Sequence, residues 1–273
     1  MFESGYHLML WTKAEKLTKS GVQSGVLLPL TDVDTLVECS GVSYVGNIVT
    51  KNMTIKHQPQ MSLHDPFVAP YDPALYIDQV GSEHICLLNK FPILTPHILI
   101  CAKDYIPQTS VLRLVDFEAW MKGFSSADTL GFFNAGHDAG SSQMHLHMQL
   151  VKTPILLEDL ILSGQLPFKH YLIQFEQLDA ELLMQHYSAA MLQFDRYTTT
   201  LNQGYSECLP YNILLTQRWM LIVPRSTNRV GPVSGHGLGY SGRFLVSSQE
   251  QLCWLTEYGF LQFLTDCGYP LDA

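Results

Sequence analysis

Short apolar runs bounded by turn residues recur along the chain, and they come at strand spacing. Leu75–Val80 and His84–Asn89 read as two strands joined through Gly81-Ser82, and His97–Ala102 reads as a third. Gly131–Asn134 and Met144–Val151 read as central strands. Tyr211–Thr216 and Trp219–Val223 read as a hairpin across the short turn Gln217-Arg218. Helical spacing predicts a helix over Asp116–Phe124, with Asp116 as N-cap. A longer one is predicted over Asp179–Leu201, where Leu182, Leu183, His186, Ala189, Ala190 and Gln193 share a face. Ser248–Cys267 reads as one closing helix, and the glycine-rich stretch Ser226–Gly242 as a loop or lid. Hairpin-like strands with helices between them predict an α+β fold on a mainly antiparallel sheet.

One of these strands carries candidate chemistry. In His145-Leu146-His147-Met148-Gln149, apolar residues separate three polar ones at strand period, so the imidazoles and the amide are predicted on one face. The turn Gly140-Ser141-Ser142-Gln143 comes just before it. Such a turn can bring backbone N–H groups and hydroxyls close to a phosphate. On spacing alone three readings stay open: a histidine that attacks phosphorus, a metal site, or ordinary half-buried histidines. A structural zinc site usually needs four ligands, and no Cys lies near this segment.

Composition narrows the class without choosing among these. At 273 residues and 47% hydrophobic, the chain can bury a substantial core. A formal charge of −9 argues against non-specific binding to nucleic acid, while a few local cations in a cleft can still hold a small anion. Six scattered Cys with no Cys-x-x-Cys read as reduced thiols of a cytosolic protein. No cationic leader with an apolar core is apparent, and runs such as Trp219–Val223 fall far short of the ~20 residues of a membrane span. The expectation is a soluble, cytoplasmic protein with neither membrane nor nucleic-acid partners.

The context of the histidines resembles a known family. Asn134-Ala135-Gly136, the Gly-Ser-Ser-Gln turn and His-x-His-x-Gln together resemble the histidine-triad superfamily. Within it they are similar to the branch of ATP adenylyltransferases, also called diadenosine tetraphosphate phosphorylases, which carries Gln where the hydrolases carry a third His. Other blocks are similar to this branch in the same order. They are Asp65-Pro66-Phe67-Val68-Ala69-Pro70-Tyr71, His84–Phe91 followed by His97–Ile100, and Tyr211–Thr216 followed by Trp219–Ser226.

The resemblance implies a single catalytic nucleotidyltransferase domain over residues 1–273. Residues 44–155 would form a histidine-triad-like part, and 205–270 a part whose strand pair extends the sheet. It implies reversible cleavage of diadenosine tetraphosphate by inorganic phosphate, giving ATP and ADP through an adenylyl-histidine. His147 is implied as nucleophile and His145 as a supporting donor. Gln149 would donate to a phosphate oxygen but cannot move a proton, which favours transfer over hydrolysis. Substrate contacts are implied for Lys51, Asn89, Lys90, Asn134, Gly140, Ser141, Ser142, Gln143, Asn212, Gln217 and Arg218. His97, at the mouth of an apolar strand, admits a structural or a functional role. No metal and no tightly bound cofactor are expected, and Mg²⁺ would arrive with the substrate.

The chain departs from the family pattern at Gln217, where a Lys or Arg is usual and Arg218 follows one place later. His137 replaces a common Pro, and Ser141 a common Ala. Two other functions share features of this pattern. A sugar-nucleotide phosphorylase or hexose-1-phosphate uridylyltransferase carries the same His-x-His-x-Gln, and a nucleotide sensor could keep the fold without turnover.

Overall fold

The computed structural model describes residues 3–31, 33–49 and 65–271, with side chains from Met9 onward. Helix α1 (Glu3–Ser24) leads into a hairpin of β1 (Asp34–Cys39) and β2 (Val42–Ile48). Strands β3 (Tyr76–Val80), β4 (His84–Leu88) and β5 (His97–Ala102) follow, then α2 (Leu114–Met121), β6 (Thr129–Asn134) and β7 (His147–Lys152). Next come α3 (Glu158–Leu162), β8 (Tyr171–Gln174), α4 (Ala180–Gln193) and the hairpin β9 (Tyr197–Asn202) and β10 (Tyr205–Cys208). The chain continues through β11 (Tyr211–Leu215), β12 (Trp219–Pro224), a small hairpin β13 (Arg229–Val230) and β14 (Val233–Ser234), and β15 (Arg243–Val246). Helices α5 (Gln249–Tyr258) and α6 (Phe260–Cys267) close it.

The main sheet has eight strands in the order β3-β4-β5-β7-β6-β11-β12-β8, and every neighbouring pair is antiparallel. The expected α+β architecture is therefore present, and β11 and β12 extend the sheet beyond β6 as the resemblance implied. A second sheet, β1-β2-β15, joins the N-terminal hairpin to a C-terminal strand that runs parallel to β2.

Strand period sorts the side chains of the main sheet onto two faces. One face presents Ile98, Ile100, Met148, Leu150, Phe133, Ile213 and Ile222. It packs under Leu10, Trp11 and Ala14 of α1, Phe117 and Trp120 of α2, and Leu183 and Tyr187 of α4. The other face is covered in two patches. Leu130, Phe132, Leu214, Leu221 and Val223 pack under Phe244, Leu255, Phe260 and Phe263, while Ile85, Leu87, Leu99 and Cys101 pack under Phe67. The register places Gln149 opposite Leu99 on one side and Phe132 on the other, at the junction between the two patches.

Several expectations need correction. The first helix, α1, gave no pattern that was read as a helix, and neither β1, β2, β8 nor β15 was anticipated. The periodicity of Asp179–Leu201 ends at Gln193. Asp179 does cap the helix, accepting from Leu182 N at 2.8 Å, but Asp195 takes φ +51° and the β-branched run Tyr197-Thr198-Thr199-Thr200 becomes β9. Asp116 is not the N-cap of α2. It lies inside the first turn, where its Oδ2 accepts from Arg113 N at 2.7 Å. Ser248–Cys267 breaks into two helices at Gly259, whose φ of +94° ends the first.

The stretch Ser226–Gly242 is no lid. It contains β13, β14 and a 3₁₀ turn, Gly237–Ser241, in which every residue is buried. Its glycines serve close packing instead of motion: a Cβ at Gly237 would stand 2.6 Å from Asn134 Oδ1.

Candidate active site

Strand β7 begins at His147, three residues later than the expected start at Met144. His145 lies just outside the ladder, in an isolated bridge with Pro107. Both rings still gather at one place, because the ring of Phe67 packs 5.7 Å from that of His145 and 5.2 Å from that of His147.

His147 has a defined tautomer. Its Nδ1 lies 2.8 Å from the carbonyl oxygen of His145, and a carbonyl can only accept, so Nδ1 carries the proton. Nε2 is left with a lone pair and no hydrogen-bond partner among the described residues. Burial lowers the pKa to about 4, with the charge of His145 adding to the effect; the His145 carbonyl and Asp65 work against it. The imidazole is neutral at pH 7. A neutral, oriented ring with a bare Nε2 is the form in which histidine is a nucleophile.

The backbone of His147 is held as firmly as its ring. Gln108 is fully buried, and its Oε1 accepts from His147 N at 2.8 Å. Its Nε2 donates to Asn134 O at 2.9 Å and to His147 O at 3.2 Å. The ladder between β6 and β7 ends at Phe132 and Gln149, so this side chain closes the sheet where the strands part. Gln108 was missed in the sequence. Its partners lie 26 and 39 positions away and no local pattern announces them.

His145 bonds Asp65, with Nδ1 and Oδ2 2.7 Å apart, and its Nε2 is buried without a protein partner. Asp65 belongs to the block that carried the resemblance, but its role as partner of His145 was not foreseen. On the far side of His147, Gln149 accepts through Oε1 from His97 Nε2 at 3.0 Å, and His97 Nδ1 is 3.2 Å from Asn89 Nδ2. Asn89 thus lies behind His97, one link removed from Gln149.

The glycine loop sits against the C-terminal part of the chain. Gly140 takes φ +93°, and a Cβ there would meet Gly235 O at 2.7 Å and His236 Cα at 2.7 Å, so only glycine allows the approach. Asn134 Oδ1 accepts from Gly237 N at 2.9 Å and from Asn212 Nδ2 at 2.8 Å, and Asn212 also donates to Ala139 O at 2.9 Å. Arg225, almost wholly buried, donates to Asn212 Oδ1 and to the carbonyls of Cys267, Thr227 and Gly235. Asn134 and Asn212 therefore hold the loop together, and Arg225 brings a buried positive charge beside it, with no carboxylate bonded to it among the described residues.

The remaining expected contacts fall as follows. Ser141 Oγ donates to Gln143 O at 2.9 Å and shapes the turn, while Ser142 and Gln143 are exposed. Lys90 is half-buried, with its ammonium 5.7 Å from the centre of the Phe91 ring. Lys51 lies outside the described residues. The structure does not bring Gln217 and Arg218 to His147. Asn212 pairs with Asn134 at one end of β11, and the Gln217-Arg218 turn is at the other, roughly 16 Å away at strand rise. Arg218 Nη2 instead reaches Glu158 Oε1 at 3.4 Å. Among the described residues, no three His, Cys, Asp or Glu side chains gather as a metal ligand set.

Fold and site together define a protein of the nucleotidyltransferase type, an antiparallel sheet bearing a buried His-x-His-x-Gln row beside a glycine loop. Comparison with known proteins narrows this. Residues 4–173 match the Ap4A phosphorylase N-terminal domain, and residues 164–270 match the ATP adenylyltransferase C-terminal domain. Diadenosine 5',5'''-P1,P4-tetraphosphate phosphorylase 2 of Saccharomyces cerevisiae is 30% identical over 254 residues, covering 77% of each chain. Protein APA1 of the same yeast is 26% identical over 245 residues, covering 76% of each. The crystal structure of yeast Ap4A phosphorylase Apa2 in complex with Ap4A superposes with a TM-score of 0.77 at 26% identity, over 97% of this chain and 98% of that one. The chain belongs to the Ap4A phosphorylase and ATP adenylyltransferase family.

Proposed function

We propose that the protein cleaves diadenosine tetraphosphate with inorganic phosphate to ATP and ADP, reversibly, through an adenylyl-His147 intermediate. The observation that carries this reading is the neutral His147, anchored through Nδ1 with its Nε2 lone pair unengaged. In the first step that lone pair attacks an adenosine-bearing phosphorus. The P–N bond forms and the bond to the bridging oxygen breaks, so ATP leaves with both electrons of that bond. Its terminal phosphate has a second pKa near ~6 and can depart largely unprotonated. In the second step an oxygen of inorganic phosphate attacks the same phosphorus, the P–N bond breaks, and ADP leaves with His147 again neutral. The Nδ1 proton stays on the ring throughout.

Gln149 supports transfer over hydrolysis because its amide can donate to a phosphate oxygen but cannot take a proton from water. Asn134, Asn212 and Gly140 would set the loop around the phosphates, with Arg225 and Lys90 supplying positive charge. One catalytic domain fits this reading, since both parts of the chain contribute strands to the sheet on which the site lies. No resident metal takes part in these steps, and Mg²⁺ would come bound to the polyphosphate. The six free thiols support a reducing compartment such as the cytoplasm, and among the described residues no helix is long and apolar enough to cross a membrane.

The test is incubation with diadenosine tetraphosphate, with and without phosphate, alongside elemental analysis. ATP and ADP formed only when phosphate is present, by protein dialysed against chelator and then resupplied with Mg²⁺, is the expected result. Binding without phosphate-dependent ATP release would turn the reading toward a sensor. Stoichiometric bound zinc would favour a uridylyltransferase-like enzyme.

A further inference from the structure

We infer that His97 is a positioning residue that fixes which end of the Gln149 amide faces the substrate phosphate. The inference rests on the phosphorolytic reading and extends it to a residue that does not itself touch the reacting atoms.

The argument follows a chain of hydrogen bonds in which each link decides the next. The backbone N–H of Phe91 can only donate, and it does so to Asn89 Oδ1 at 3.0 Å. The Asn89 amide nitrogen therefore faces His97 Nδ1 at 3.2 Å as a donor, and Nδ1 must accept. The ring proton is then on Nε2, which donates to Gln149 Oε1 at 3.0 Å. Gln149 has its acceptor engaged and its two amide N–H groups left over. The orientation of a side-chain amide is set by such partners. Here they leave the donor end for an anionic oxygen.

The sheet makes the chain rigid. Leu99 pairs with Gln149 across β5 and β7, so His97, two residues earlier, is its diagonal neighbour on the same face. The ring of Phe132, which pairs with Gln149 from the other side, packs 5.7 Å from the His97 ring. His97 is almost wholly buried. Without the His97 donor, the Gln149 amide could rotate by half a turn and point oxygen lone pairs at the phosphate. An amide held in advance with its N–H groups forward stabilises charge that grows on the phosphoryl oxygens, so its effect falls on the chemical step.

The experiment is steady-state phosphorolysis by wild type, His97→Leu, His97→Gln and Asn89→Ala, with Tm recorded for each. His97→Leu is expected to lose about 100-fold in kcat with KM changed by less than about threefold, the scale of a small misplacement of a catalytic group. His97→Gln, whose amide nitrogen can replace Nε2 as donor, should recover about tenfold of that loss. In a Gln149→Ala background, His97→Leu should cost little more, because residues that act as a unit are not additive. Full kcat in a folded His97→Leu enzyme, an equal loss in His97→Gln, or an additive loss on top of Gln149→Ala would each overturn the inference. If His97→Leu does not fold, Asn89→Ala removes the preceding link. A kcat loss of about tenfold with little change in KM is then expected, and an unchanged kcat would overturn the inference. Failure of wild type to release ATP with phosphate would instead overturn the phosphorolytic reading itself.

Discussion

The two faces of the main sheet each hold a buried histidine at the first residue of a strand, and they use it differently. On the face under α1, α2 and α4, His84 Nε2 lies 2.8 Å from Asp116 Oδ1. The same carboxylate accepts from Arg113 Nη2 at 2.9 Å, and Arg113 reaches Glu83 at 2.8 Å. Burial pushes the Asp116 carboxyl up, but the bonds from His84 and Arg113 outweigh it and hold its pKa below the ordinary value. On the other face, His147 is equally buried and also bonded at 2.8 Å, yet its partner is a carbonyl. A carbonyl fixes a tautomer without adding charge, and the imidazole stays neutral with a lone pair in reserve. The face under α1, α2 and α4 gains an anchored ionic network, and the other gains a neutral imidazole whose Nε2 lone pair is unengaged. Burial alone distinguishes neither; the second atom of the hydrogen bond does.

The sharpest way to break this contrast is His147→Ala. Phosphorolysis should fall by about four orders of magnitude or more, as for other covalent nucleophiles, while nucleotide binding by calorimetry survives. His145→Ala should be milder. A His147→Ala protein that kept most of its activity would overturn the assignment of the nucleophile.

On the opposite face, Asp116→Asn should destabilise by about 3 kcal/mol in urea unfolding at pH 7, because His84 and Arg113 lose their shared carboxylate. The folded fraction should keep its kcat. A large loss of kcat with unchanged stability would make this cluster catalytic and dissolve the contrast.

Acid separates the faces next. The His147 pKa is lowered from 6.5 to about 4, so the unfolded chain binds the proton first. This contribution to stability is complete above pH 6.5 and is lost as pH falls toward 4, by about 2 kcal/mol at pH 5. Urea midpoints for wild type and His147→Ala should converge as pH falls from 7 to 5. Parallel curves would show that His147 is not held neutral by the fold.

The smallest effect concerns product choice. Gln149→His puts a proton-transfer group where the amide stood, so some water should compete with phosphate and AMP should appear among the products. Unchanged product ratios in an active Gln149→His enzyme would place acceptor choice elsewhere.

The elements that were legible in the sequence are those whose signals are local. β3, β4, β5, β11 and β12 appeared within a residue of their observed ends, because short apolar runs bounded by turn residues need no knowledge of neighbours. Helix α1 was not legible, since its packing face is set by the sheet it covers. The Ser226–Gly242 stretch misled for a related reason. Glycine permits both flexibility and close approach, and only Asn134 and Gly140, about a hundred positions away, decide for the second.

By itself the sequence determined which groups can do chemistry here: two imidazoles and an amide at strand spacing, after a glycine turn. Covalent order imposes that spacing, so it survives whatever the rest of the chain does. Only the tertiary structure decided their states. The carbonyl that gives His147 its tautomer is local. The burial that keeps the ring neutral, the Gln108 side chain that holds its backbone, and the His97–Asn89 chain that turns Gln149 all arrive from other strands and loops. Protonation and orientation depend on desolvation and on partners distant in sequence, and these exist only once the sheet has closed.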